Sequence, residues 1–171
     1  SFTAAEGHAM LRNMEKNKSI FQLGTQIHAG ENYHRVTEII QSGKLGKIHT
    51  VRLWKQGGSP GLGFPPSENP PDTLDWNMWL GPAPYEEYTA VRCHKFRHFL
   101  DYSGGVFADF WSHIADIMFM SMHPKGLHSI DSRGDRPHDG IADTPRWIDV
   151  DFKFEGLDVY WTTSPPAVPG T

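Results

Sequence analysis

Asp109, His113 and Asp116 stand at i, i+4 and i+7 within Val106–Met122, the strongest helical pattern in the chain. Those offsets stack side chains on one face of a helix, while Phe110, Trp111, Ile114, Ile117 and Met118 largely make up its other sides. A carboxylate one turn from an imidazole orients the ring and steadies it once protonated, as a general base taking a proton from an alcohol requires. Just ahead, Tyr102-Ser103-Gly104-Gly105 predicts a tight turn that lets a ligand come close to the helix N-terminus. The same spacing also describes a polar face bonded to backbone or water, and on spacing alone that is the simpler account.

Other residue types offer weaker chemistry. His94 and His98 are four apart and on a helix would share a face, where two imidazoles could hold a metal with a third ligand. Arg92, Lys95 and Arg97 interleave with them; three cations disfavour a divalent ion and suit an anionic or polyhydroxyl ligand, so no metal is expected. An exposed basic loop is the plainer account of this segment. Trp76 and Trp79 flank a short turn before Gly81-Pro82-Ala83-Pro84 and can wall a sugar or nicotinamide pocket, or cap a core. No G-x-S-x-G, H-E-x-x-H, Walker loop or G-x-G-x-x-G occurs in the chain.

Elements must position these groups. Thr3-Ala4-Ala5-Glu6 has capping-box spacing and opens a helix over Ala4–Lys16. Ser19–Gly24 predicts a short strand and Glu31–Gln41 an amphipathic helix stopped by Ser42-Gly43. This α-β-α order fits the trailing edge of a parallel, Rossmann-type sheet. From Lys47 the character changes. Lys47–Lys55 predicts a strand; Gln56–Pro71 holds four Gly and five Pro and predicts an irregular excursion; Leu74–Leu80 predicts a short helical turn. Trp147–Phe154 alternates strictly, with Ile148, Val150, Phe152 and Phe154 on one side. After Glu155-Gly156 the alternation resumes at Leu157, Val159 and Trp161, the pattern of a hairpin with one buried face. The expected fold is α+β: an open, mainly antiparallel sheet with a packed helix, preceded by an α-β-α remnant of an α/β domain. The Pro-rich end, Ser164–Thr171, predicts a turn, and both ends suggest a piece of a longer protein.

Composition narrows the function. The chain has 171 residues, a formal charge of −4 and 16 Lys and Arg against 20 Asp and Glu; such mild acidity argues against a nucleic-acid partner. Ile114–Met122 is too short to span a bilayer, so no membrane partner is expected. The single cysteine, Cys93, excludes an internal disulfide. Nothing in the chain addresses it to a compartment.

Gly104-Gly105-Val106-Phe107-Ala108-Asp109-Phe110-Trp111-Ser112-His113-Ile114-Ala115-Asp116 resembles the G-G-G-x-x-x-D-x-x-x-H-x-x-D signature of the Gfo/Idh/MocA oxidoreductases, relatives of glucose–fructose oxidoreductase and inositol dehydrogenase. Gln22-Leu23-Gly24-Thr25-Gln26 followed by Glu31–Ile48 is similar to that family's last nucleotide-domain strand and crossover, with Ser42–Ile48 standing for its S-G-x-[IL]-G-x-[IV]. The run from Leu74 to Pro84 is similar to a segment of a bacterial branch of the family. Ser103 replaces the first Gly of the signature. The family's Gly-rich loop and the Lys of its E-K-P motif have no counterpart in the chain, so the isolated chain is expected to be inactive.

The resemblance implies that residues 1–46 trail from a dinucleotide-binding domain and that 47–171 form most of a substrate domain. It implies NAD or NADP as cofactor and a sugar or cyclitol as substrate. His113 would accept the hydroxyl proton while hydride leaves the same carbon, with Asp109 orienting the hydroxyl or the ring. Asp116, Tyr102, Arg92 and His94 are the expected substrate contacts; Gln26, His28 and Trp79 the expected cofactor contacts. A homo-oligomer through the open sheet is implied too. Three alternatives stand beside this reading. One is a glycosidase that oxidises its sugar transiently with the same cofactor. Another is a non-catalytic carbohydrate-binding or assembly domain. The third, a metal-dependent lyase or isomerase, would use His94, His98, Asp109 or His113.

Overall fold

The computed structural model describes residues 3–165; most of the expected turn Ser164–Thr171 lies outside them. At its centre is the alternating segment. Strands β3 (Trp147–Phe154) and β4 (Leu157–Thr162) pair antiparallel, with Phe154 opposite Leu157 across Glu155-Gly156. Gly156 takes φ +70°, the left-handed conformation so short a connection needs. Val150, Phe152, Leu157, Val159 and Trp161 share one face and are buried, each contributing roughly 1.5–3 kcal/mol by leaving water. Strand β1 (Thr50–Trp54) joins β4 in parallel, and β2 (Ser129–Asp135) joins β3 antiparallel. The order is β1-β4-β3-β2, an open mixed sheet in which β1 and β2 are edges.

Two helices cover the apolar face. Trp111 of α5 (Gly105–Ile114) stacks on Phe152 with centroids 4.5 Å apart, and Phe107 meets Trp161 edge-on at 5.6 Å. Met118 of α6 (Asp116–Met122) and Ala115, which separates the two helices, are buried with them. The pattern Val106–Met122 predicts one continuous helix, and here the structure differs. At Ala115 ψ is −19°, tighter than an α-helix, so the helix breaks for one residue.

A smaller apolar cluster lies beside the sheet. Helix α3 (Trp76–Leu80) is capped by the Asp75 carboxylate, which accepts from the Met78 N–H at 2.9 Å. Helix α4 (Ala90–His94) is capped by the Thr89 hydroxyl, which accepts from Arg92 N–H at 3.0 Å. Trp76, Leu80 and Tyr88 are buried here, with Trp79 and Tyr102 packed against them. Gln56–Pro71 is irregular, as its Gly and Pro content predicts, and is pinned by a bridge between Gly63 and Gly140.

The N-terminal stretch is different. Helix α1 (Ala4–Asn17) starts with the expected capping box: Thr3 Oγ1 accepts from Glu6 N–H at 3.3 Å, and Glu6 Oε2 accepts from Thr3 N–H at 3.2 Å. Helix α2 (Glu31–Gln41) has the predicted bounds. Between them Ser19–Gly24 is not the expected strand, because no described strand runs beside it to complete a ladder, and Phe21 and Leu23 stay exposed. A 3-10 turn, Gln26–Ala29, follows. Gln41 ties α2 to the end of α6 by donating its side-chain N–H to the Ser121 carbonyl at 3.3 Å. Among the described residues no helix is long and apolar enough to cross a membrane.

Candidate active site

The turn before α5 is built by its glycines. Gly104 and Gly105 take φ +88° and +80°, a conformation that side chains rarely adopt. A Cβ on Gly105 would also press against the Thr144 side chain. Ser103 and Gly104 N–H both donate to the Phe99 carbonyl, closing the loop. Ser103, with a negative φ, therefore fits where the signature has its first Gly.

Helix α5 places Asp109 and His113 one turn apart. The Asp109 carboxylate accepts from Arg97 Nε–H at 2.8 Å and keeps 26% of its side chain exposed. The half-buried His113 ring leans against Phe110, and its nitrogens have no hydrogen-bond partner among the described residues. Asp116, beyond the break, is largely buried and pairs with His28 Nδ1 from the 3-10 turn Gln26–Ala29. So two residues expected at the cofactor and substrate sides, His28 and Asp116, meet directly. Gln26 lies exposed in the same turn.

The other expected residues collect in the aromatic cluster. Trp79 stacks on Trp76 at 4.6 Å and meets Tyr102 edge-on at 5.0 Å. Arg92 is only 13% exposed: it pairs with Glu86 at 3.3 Å, donates to the Tyr102 hydroxyl at 3.4 Å and lies over the Phe99 ring at 4.5 Å. Burial, partly offset by the Arg92 hydrogen bond, pushes the Tyr102 phenol up, so it stays a neutral donor and acceptor. His94 is exposed at the end of α4.

His94 and His98 do not share a helix face. Lys95, at φ −110° and ψ 29°, ends α4, and Phe96–His98 restarts as a 3-10 turn. His98 turns inward, its Nδ1 3.0 Å from the buried Ser59 hydroxyl. Burial first, then the Lys95 and Arg97 charges, hold His98 below the usual imidazole range. Among the described residues no three His, Cys, Asp or Glu gather as a metal would need.

A cleft of about 420 Å³ is walled by Trp79, Pro82, Pro84, Phe96 and Tyr102, with Glu6 and Asp101 among its lining; the row itself does not line it. Phe96 joins it to the row, because the next residue, Arg97, lies over the Phe96 ring at 4.8 Å while holding Asp109. Apolar walls with a few polar groups suit a small polyhydroxyl ring. Arg97 and Ser59–His98 are the partners that sequence reasoning missed; the basic residues ahead of the Gly turn were the available signal, without a periodicity to pair them.

The fold has relatives of known structure. The WlbA dehydrogenase from Bordetella pertussis, in complex with NADH and UDP-GlcNAcA, superposes with a TM-score of 0.63 at 12% identity, over 99% of this chain and 44% of that one. An NAD-binding protein from Listeria innocua gives 0.61 at 14% identity, over 99% and 41%. The WlbA dehydrogenase from Chromobacterium violaceum, with the same two ligands, gives 0.60 at 14%, over 99% and 41%. The chain thus spans less than half the length of these relatives, and the likeness is one of fold. No curated protein matches it. The family model described as "Oxidoreductase family, C-terminal alpha/beta domain" matches residues 30–156. With most of its length matched by that domain, the chain belongs to the Gfo/Idh/MocA oxidoreductase family.

Proposed function

We propose that this chain is the substrate-binding and catalytic segment of an NAD(P)-dependent oxidoreductase acting on a hydroxyl of a sugar or cyclitol. Residues 1–46 would trail from the dinucleotide-binding domain and 47–171 would form the substrate domain. The observation that carries the reading is Asp109 and His113 on one turn of α5, with Arg97 linking Asp109 to Phe96 in the wall of an aromatic cleft. The NADH and sugar-nucleotide complexes of the structural relatives support the cofactor and the substrate class.

The residues present fit the nicotinamide end of the cofactor. Gln26 offers an exposed side-chain amide without a partner among the described residues, and its turn reaches the catalytic row through His28 and Asp116. Trp79, with one face taken by Trp76, lines the cleft and would border the nicotinamide or the substrate ring there. When bound, NAD(P) supplies the hydride acceptor. His113 takes the hydroxyl proton on an open ring nitrogen as hydride leaves the same carbon. Asp109 orients that hydroxyl or ring, and Tyr102, held neutral beside Arg92, offers its phenol to the substrate.

The test is reduced-nicotinamide formation by the intact protein over a panel of sugars and cyclitols. His113→Ala should lower kcat by about 10²–10⁴-fold. Unchanged turnover in that variant would remove His113 from the catalytic assignment, and no reduced cofactor from the parent over the whole panel would leave a carbohydrate-binding domain. Aglycone release without net reduced cofactor would identify the glycosidase form of the same chemistry.

The open sheet face supports a homo-oligomer. Trp54 is 52% exposed there, among Arg52, Arg133, Asp149 and Asp151, a mixed-charge surface able to complement a second copy. Trp54→Asp should shift the mass measured by light scattering toward the monomer.

A further inference from the structure

We propose that Arg97 is a positioning residue of this site, one that holds the Asp109 carboxylate in place for His113; the role rests on the oxidoreductase reading above. Asp109 hangs from α5 with a quarter of its side chain in water, and a free carboxylate there would sample several rotamers. Arg97 Nε–H fixes one oxygen, Oδ2, at 2.8 Å and leaves Oδ1 for the imidazole or a substrate hydroxyl. A guanidinium keeps its charge at any working pH and donates from a rigid plane, so the hold does not depend on a proton.

A surface ion pair is ordinarily loose. This one is held from behind by its turn. Arg97 lies over the Phe96 ring at 4.8 Å. The 3-10 turn Phe96–His98 is anchored on the far side by His98, whose ring meets the Ser59 hydroxyl at 3.0 Å, with Ser59 only 3% exposed. The His98 carbonyl accepts from Asp143 and Thr144 N–H at 3.2 and 3.4 Å, and Asp143 Oδ1 accepts from Leu100 N–H at 2.8 Å. Loop 140–146 thereby fixes the turn and the turn fixes the arginine. Phe96 is at once a wall of the cleft and the platform of Arg97, so the grip on Asp109 is built into the substrate wall.

The experiment uses the intact protein, with Arg97→Gln and Arg97→Lys compared against His113→Ala. Because the Arg97 side chain is 55% exposed, both variants should melt within about 4 °C of the parent. Arg97→Gln should lower kcat by on the order of 10²-fold with KM little changed, the cost of a catalytic group displaced by about 1 Å. Arg97→Lys, with the charge but not the plane, should recover part of that loss. In the substrate-free protein, the Arg97 Nε–H proton should exchange slowly and give a distinct NMR signal, lost in Asp109→Ala.

Rapid exchange of that proton in the parent overturns the proposal before any substrate is known. A raised KM at unchanged kcat overturns it too, since Arg97 would then bind substrate directly. If the parent forms no reduced nicotinamide with any sugar or cyclitol, the oxidoreductase reading falls first; if His113→Ala leaves turnover intact, the role of His113 falls and that of Arg97 with it. If His113→Ala abolishes turnover while Arg97→Gln does not, the Arg97 role alone falls.

Discussion

The hairpin β3–β4 with its covering helices and the stretch α1–α2 are made of similar residue types and end in opposite conditions. In the first, Val159 and Trp161 are 0% and 1% exposed. In the second no helix has a buried residue, although α2 carries Tyr33, Val36 and Ile39 on its surface. Apolar periodicity thus makes a helix possible without deciding what covers it. The sheet brings its own cover from the same chain; α1 has its capping box, while α2 lies against α6, tied there by Gln41. The candidate site sits where the two regions touch, with Asp116 on one side and His28 on the other.

That contrast can be broken most directly at Trp161. Trp161→Ala should cost about 3–5 kcal/mol in a denaturant titration, and a loss below 1 kcal/mol would show that the sheet core does not dominate stability. Gly140→Ala comes next. A Cβ there would run into the Gly61 backbone, so the loop bridge must open, at about 1–3 kcal/mol; unchanged melting would mean the bridge holds nothing.

His98 gives a smaller effect with a sign. Burial keeps the folded imidazole neutral, whereas the unfolded one takes a proton near its ordinary value of about 6.5. The unfolded chain then binds more protons, so the stability from this group is complete above about pH 6.5 and is lost as pH falls through the lower folded value. His98→Gln should melt lower than the parent at neutral pH, by about 1 kcal/mol for the Ser59 bond, and fall less steeply on acidification. Parallel pH profiles for the two proteins would contradict this. The smallest change is expected at Ile39→Ala, on an exposed face, within about 0.5 kcal/mol; a large loss there would show that α2 is packed in solution.

Legibility in the sequence follows the same division. Trp147–Phe154 and Leu157–Thr162 were readable because one buried face forces period-two alternation. Strand β2 was not: Ser129–Asp135 has Ile130 as its only large apolar residue and is exposed throughout, so main-chain pairing with β3 defines it, and that leaves no side-chain pattern. Ser19–Gly24 erred the other way, having strand composition without a neighbour. The row Asp109, His113, Asp116 was legible as spacing and its family signature as a motif. Its side-chain partners, Arg97 and His28, come from other elements, where no periodicity links them to α5 and α6.

The parallel pairing of β1 with β4 has a consequence for how the chain reaches this state. Thr50 must find Asp158, roughly a hundred residues later, whereas Phe154 meets Leu157 across a single turn. The hairpin can form within microseconds, but closing so long a loop carries an entropic cost that nothing recovers until β1 docks. During synthesis β1 therefore leaves the ribosome long before its partner exists. Its apolar face, Val51 and Leu53, waits exposed until β4 arrives, which makes strand closure the step most open to misassembly.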